Sequence, residues 1–261
     1  MTDKLLVTRD GAVTTIAFNH PAVRNAVDAE MMVALREAVA GCGGDGTTRV
    51  IVLTGAGGAF CSGADLGAAT APGATPDSAF RILVEAYHPA LLAIHESRWP
   101  VIAAVDGVAA GLGCDIALAC DIRLASARAQ FAELFIRVGL IPDGGGTWSL
   151  ARIVGLGRAL ELIYSGAAVP ADEARAIGLT NHVFPADRFA DEVAAYAVRL
   201  ASQAPLALTR IRRAVRAAQE CAFAEALERE AALQHEILLS EDGFEGFRAF
   251  MEKRRPSWKG Q

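Results

Sequence analysis

Short apolar runs separated by polar turns fill the first half of the chain, and helical spacing takes over in its last third. Val7–Arg9 and Val13–Phe18 read as two strands around an Asp10-Gly11 turn. After Asp28, a natural N-cap, Met31, Leu35, Ala38 and Val39 fall on one helical face. Val50–Leu53 is apolar at every position, the mark of a strand buried on both faces, and Val101–Val105 and Ile122–Ala125 repeat that signal. Between the last two, Leu112–Ala119 predicts a helix entered through Gly111. The Ala, Gly, Thr and Pro of residues 67–76 predict a mobile surface loop, followed by a helix over Asp77–Ser97. From Asp187 onward the chain is rich in Ala, Glu and Arg and reads as helix. The pattern predicts an α/β core over residues 1–200 and a helical carboxy-terminal segment over 201–261, with no true linker between them.

Composition narrows the field. At 261 residues and 52% hydrophobic, the chain can fill one large core. Its net charge of -5 offers no general attraction to polyanions, so no nucleic-acid partner is expected. Five scattered cysteines without a CxxC spacing fit reduced thiols in a cytoplasm better than a disulfide framework. The start, Met1-Thr2-Asp3-Lys4, has no apolar signal segment. Asp106 and Asp115 interrupt the apolar stretch Val101–Cys120, so no membrane association is expected.

Several motifs fail on inspection. Gly55-Ala56-Gly57-Gly58-Ala59-Phe60 begins like a dinucleotide fingerprint but ends on Phe60, and no Gly-Lys-Ser/Thr follows any glycine cluster. His88 and His95 share a helical face without HExxH spacing, so they read as a packed or solvated face; no metal is expected. Two glycine-rich turns, Gly55–Gly63 and Gly107–Gly113, each follow a strand. They are either plain chain reversals or places where main-chain N–H groups converge on one oxygen.

Six collinear motifs bear on that choice. Phe60-Cys61-Ser62-Gly63-Ala64-Asp65-Leu66 resembles the F-C-[AS]-G-x-D-[LI] turn of the enoyl-CoA hydratase/isomerase, or crotonase, superfamily. Pro100–Gly107 is similar to its K-P-V-I-A-A-V-N-G strand, Gly111–Asp121 to its G-G-G-C-E-L-A-L-x-C-D helix entry, and Ile141–Thr147 to its I-P-x-x-G-G-T turn. Asn19–Ala26 resembles N-R-P-x-x-x-N-A, and Phe250–Arg254 resembles the closing F-x-E-K-R. The resemblance implies a crotonase-like spiral of ββα units, closed by carboxy-terminal helices that pack homotrimers or homohexamers. It implies an acyl-CoA site, no cofactor beyond the coenzyme A of the substrate, and an oxyanion hole from the amides of Ala64 and Leu112. Leu112 stands where glycine is common, and its amide can still donate if its φ is negative.

The chemistry departs from hydration. Hydratases carry two glutamates, in G-C-E and F-G-x-x-E; this chain has Asp115 at the first place and Phe135, which moves no proton, at the second. Glu133, two residues earlier, is expected on a different face. Gly139–Trp148 resembles the phenylacetate-pathway ring-epoxide isomerase branch, which places an aspartate after I-P; on that resemblance Asp143 is the candidate base. Asp143 can also cap the helix that follows, and Asp115 can serve its helix start rather than react. Trp148 either lines the acyl pocket or simply packs. Arg24, and Phe250 with Lys253 from a neighbouring subunit, are candidates for the CoA end. Cys61, Gly63 and Asp65 belong to the first turn; Asp65 is expected to brace it, and no His is placed to activate Cys61. The leading expectation is a double-bond isomerase acting on unsaturated or ring-derived acyl-CoA. A hydratase working through Asp115 and a non-catalytic acyl-CoA-binding protein stand as alternatives.

Overall fold

The computed structural model describes residues 3–67 and 72–261. Strands β1 (Leu5–Asp10) and β2 (Val13–Phe18) form a hairpin, and helix α1 (Ala29–Cys42) leads to β3 (Val50–Gly55). Helices α2 (Pro76–Ile82) and α3 (His88–His95) precede β4 (Val101–Val105), β5 (Val108–Ala110) and α4 (Leu112–Ala119). Next come β6 (Ile122–Ser126), β7 (Gln130–Ala132), α5 (Gly146–Val154) and α6 (Leu156–Ser165). Strand β8 (Val169–Pro170), α7 (Ala171–Ala176) and β9 (His182–Phe184) complete the spiral. The chain then runs through α8 (Phe189–Ala201), α9 (Pro205–Ala218), α10 (Phe223–Leu238) and α11 (Glu241–Met251).

The strands divide between a six-stranded sheet, ordered β1-β2-β3-β4-β6-β9, and a three-stranded sheet, ordered β5-β7-β8. β4, β5 and α4 make one ββα turn of the spiral: the chain leaves the large sheet, enters the small one and returns as a helix. Alternation along the central strands explains why their residues are all apolar. Ile51, Leu53, Val101, Ala103 and Val105 join the core beneath α1, α3 and α4. Val50, Val52, Ile102 and Ala104 face the other way, against Phe189, Val193 and Ala197 of α8.

Asp28 caps α1 as its sequence predicts, its Oδ1 accepting from the Met31 amide at 2.8 Å. The single helix expected over Asp77–Ser97 is instead α2, a π-helical turn at Leu83–Tyr87, and α3. Pro89 is the physical reason: it has no N–H for the carbonyl of Glu85, and the wider turn lies directly before it. The loop expected over residues 67–76 has its middle, 68–71, outside the described residues.

Two close approaches fix the part of the fold that matters most. Cys61 donates its amide to Val108 and accepts from the Ala110 amide, both at 3.0 Å, so the first glycine turn is laced to β5. Gly113 in α4 presses on the same residue: a Cβ there would lie 2.2 Å from the Cys61 carbonyl oxygen. Farther along, the Gly144–Gly146 turn sits on a pair of buried carboxyl groups. Asp115 Oδ2 accepts from the Gly144 amide at 2.9 Å. A Cβ on Gly146 would lie 2.2 Å from Asp115 Oδ1 and 3.2 Å from Glu133 Oε1. Glu133 does not take the helical position expected of it; it precedes a 3-10 turn over Leu134–Val138 and is buried, with no hydrogen-bond partner for either oxygen among the described residues. Burial raises the pKa of both acids, Glu133 to about 7, and the proximity of Glu133 raises Asp115 further.

Gly113→Ala therefore costs about 3 kcal/mol or more, because the obstruction is backbone. Gly157→Ala, in open space on α6, is neutral or gains about 0.4–1 kcal/mol. Urea unfolding of the two variants reads the contrast; equal stabilities would contradict the packing of α4 on Cys61. The carboxyl pair gives a pH test. The folded pKa of Glu133 lies above its ordinary 4.5. Its contribution is thus fully present below pH 4.5 and is lost as pH rises through about 7. Melting temperature should fall between pH 5 and 8, and Glu133→Gln should flatten that fall. An unchanged slope in the variant would show that Glu133 is ionised in the folded protein.

Candidate active site

The first turn is held from two sides. Asn25, fully buried, donates from Nδ2 to the carbonyls of Ala59 at 2.7 Å and Ala56 at 2.9 Å, while its Oδ1 accepts from the His20 amide. Ser62 donates its amide to the Arg24 carbonyl at 3.0 Å and its hydroxyl to that of Val23 at 2.9 Å. Arg24 thus stands exposed beside the turn that carries Gly63 and Ala64. Asp65 Oδ1 accepts from the Gly67 amide at 2.9 Å. Cys61 is completely buried and its thiol is pushed up to about 12 by burial. Its side chain therefore contacts no ligand, and any substrate contact at this position is through the main chain.

Gly63, at φ +113°, brings this turn against the second one, so that a Cβ on it would lie 3.8 Å from the Leu112 amide nitrogen. Among the described residues the non-glycine positions with positive φ are Arg24, Asn25 and Lys253, so Leu112 meets the condition its leucine side chain imposes. Leu112 is the first residue of α4, where an amide has no partner within its own helix. Neither its amide nor that of Ala64 donates to a main-chain carbonyl among the described residues. The Leu112 side chain turns inward and packs beneath Gly144. The oxyanion candidates and the Asp143 turn are therefore neighbours.

Asp143 is half-buried and lines a cavity of about 450 Å³ together with His88, Leu91, Leu92, His95, Ala119, Trp148 and Glu220. Burial raises the pKa of its carboxyl, with the His88 ring opposing. His88 Nε2 lies 2.9 Å from the Asp143 carbonyl and donates to it, fixing the main chain that carries the carboxylate. Tyr87, whose phenol is pushed up to about 12 by burial and by the carboxylates of Asp28, Asp143 and Asp65, donates its hydroxyl to the Val27 carbonyl at 3.3 Å. Asp115 is 1% exposed and lines none of this cavity; it is shut beneath the floor formed by Gly144 and Gly146. Phe135 is half-buried, its ring edge 3.9 Å from where a Cβ on Gly111 would stand, next to the Leu112 amide. Trp148 is 36% exposed, held edge-on to His95 and stacked under the Arg152 guanidinium at 3.9 Å.

Of the sequence candidates Asp143 and Trp148 line this cavity, whereas Arg24, Cys61, Gly63, Ala64, Asp65, Leu112, Asp115 and Phe135 lie outside its lining. Phe250, 81% exposed at the end of α11, and Lys253 just beyond it do not line the cavity. Two other residues escaped the sequence reading. His88 and His95 were expected on a packed or solvated face, yet both line the cavity with Asp143, about two helical turns apart along α3. The only signal for them was their shared face, seven residues apart. Among the described residues no group of His, Cys, Asp and Glu could hold a metal ion, and no helix is long and apolar enough to cross a membrane.

Comparison with known proteins agrees with this geometry. The family model for enoyl-CoA hydratase/isomerase matches residues 8–261. "Probable enoyl-CoA hydratase" of Rhodobacter capsulatus is 39% identical over 249 residues, 95% of each chain. The 1,2-epoxyphenylacetyl-CoA isomerase of Escherichia coli is 36% identical over 250 residues, again 95% of each chain. The crystal structure of enoyl-CoA hydratase from Bacillus anthracis superposes with a TM-score of 0.95 at 30% identity, covering 99% of this chain and all of that one. With a spiral of ββα units, two facing glycine turns and matches over nearly its whole length, the chain belongs to the enoyl-CoA hydratase/isomerase family.

Proposed function

We propose that the protein shifts a double bond in an unsaturated or ring-derived acyl-CoA. One observation carries the reading: Asp143 lines the cavity, whereas Asp115 is closed off beneath its floor and Phe135 takes the place of the second acid. Syn hydration needs carboxylates around a bound water. A half-buried phenyl ring beside the Leu112 amide disfavours that water. Isomerisation needs only one base. In a 3-enoyl thioester, Asp143 would take a proton from the α-carbon, and the electron pair would delocalise to the thioester oxygen as a dienolate. The Ala64 and Leu112 amides would hold that oxygen. Return of the same proton to the γ-carbon gives the conjugated 2-enoyl thioester, with atoms and electrons balanced and no cofactor consumed. His88 would keep the Asp143 main chain in place during both transfers.

Arg24 supports an acyl-CoA reading at the near end of the site, being exposed beside the first turn. Phe250 and Lys253 fit the CoA end only if a neighbouring copy supplies them. That requirement suits the carboxy-terminal helices, where Phe223, Phe244, Phe247, Phe250 and Met251 are all exposed. Apolar side chains in such number on adjacent helices fit a covered interface in a homotrimer or homohexamer. The hydratase name of the Rhodobacter relative favours the second reading, water addition to a 2-enoyl-CoA.

The test compares 3-hexenoyl-CoA with crotonyl-CoA by thioester absorbance. Conjugation of the first should be fast and loss of the second slow; the reverse result makes the protein a hydratase, and neither makes it a binding protein. Asp143→Asn should reduce conjugation by about 10²–10⁴-fold while thioester binding persists. The Asp143 side chain does not cap the helix that follows, whose N-cap is Gly145 with no side-chain cap bond, so melting should change little. A fully active variant would exclude Asp143 as the base. Sedimentation at micromolar concentration should show a trimer or hexamer; a compact monomer would leave Phe250 and Lys253 without a site.

A further inference from the structure

The cavity that Asp143 lines is not walled by apolar side chains alone. Leu91, Leu92 and Ala119 line its body, but His95 and Glu220 stand in its wall together with Trp148. On α3, His95 follows His88 by seven residues, about 10 Å of helix at 1.5 Å per residue. His88 touches Asp143, so His95 marks a point well along the acyl group from the reacting carbon.

The protonation of His95 is dictated by what lies behind it. Asp121 Oδ1 accepts from Arg216 Nη2 at 2.7 Å, and its Oδ2 accepts from Arg212 Nε at 2.8 Å, which anchors both guanidinium groups. Arg216 Nη1 then meets His95 Nδ1 at 2.5 Å, against 3.4 Å to Nε2. A guanidinium has donors only, so Nδ1 must accept. The imidazole is therefore neutral, with its one proton on Nε2. Burial and the two arginines lower the His95 pKa in the same sense. The edge-on contact with Trp148, centroids 5.5 Å apart, fixes the ring plane. His95 and Glu220 both line the cavity, so its wall carries one imidazole donor and one carboxylate acceptor.

We propose that this pair recognises a hydroxyl group on the distal part of the acyl chain, the hydroxyl oxygen accepting from His95 Nε2 and its proton bonding to Glu220. A terminal carboxylate fits worse, because it would stand against Glu220 and the arginines behind His95 are already engaged by Asp121. The inference deepens the acyl-CoA reading of the site and rests on it.

Saturated thioesters separate the two, since neither isomerisation nor hydration can act on them. Binding of octanoyl-CoA and 8-hydroxyoctanoyl-CoA, measured by calorimetry, should differ about tenfold in favour of the hydroxylated ligand, the usual worth of one neutral hydrogen bond pair. His95→Phe keeps a ring against Trp148 and loses the donor, so the ratio should fall to about one. His95→Gln should recover part of the preference. Equal affinities in the unaltered protein overturn the proposal whatever the variants do, as does a preference that persists in His95→Phe. Failure of both thioesters to bind would instead refute the acyl-CoA reading itself, with His95 falling alongside it.

Discussion

The contact on which the site depends is between main chains: Cys61 bonded on both sides to β5, with Gly113 of α4 against its carbonyl. Backbone cannot approach backbone this closely past a side chain, so the glycine at 113 is a steric requirement. The approach sets two glycine turns side by side and leaves one amide on each, at Ala64 and Leu112, without a main-chain acceptor among the described residues. It also sends the Leu112 side chain beneath the Gly144 turn. From there the position of Asp143 follows, because the turn that carries it rests on Leu112, Asp115 and Glu133 together.

The three carboxyl groups near this turn owe their different characters to burial. Asp115 and Glu133 face each other under Gly146 in a region without countercharge, where the neutral form is favoured. Asp143 lies on the cavity side, only half-buried, with a histidine beside it that offsets part of the cost of ionisation. One acid thus faces the cavity and two lie buried beneath the turn that carries it. An aspartate one methylene shorter than the family's glutamate reaches the Gly144 amide and stays behind the floor.

Much of this was legible in the sequence. The apolar runs at Val13–Phe18 and Val101–Val105 are strands over those same residues, and Leu112–Ala119 is a helix over its expected span, because burial on both faces leaves an unambiguous pattern. The collinear motifs pointed to the family because they encode backbone approaches that few folds require. What stayed hidden depended on contacts across the chain. Nothing local says that Glu133 turns inward beneath Gly146, since a 3-10 turn there has no distinctive pattern. The π-helical turn before Pro89, which precedes His88 on α3, is equally silent in a helical spacing that continues through it. The tautomer of His95 is set by Arg216, 121 residues away.

The central claim is that one base and an oxyanion hole interconvert double-bond positions without admitting water. Turnover of 3-hexenoyl-CoA in deuterium oxide, read by mass spectrometry, tests this directly. The account predicts a conjugated 2-enoyl thioester that keeps the substrate's own hydrogen at the γ-carbon, with little deuterium gained and no mass increment from added water, and loss of this transfer in Asp143→Asn. Accumulation of a 3-hydroxyacyl thioester as the first product, at a rate matched by the variant, would contradict it.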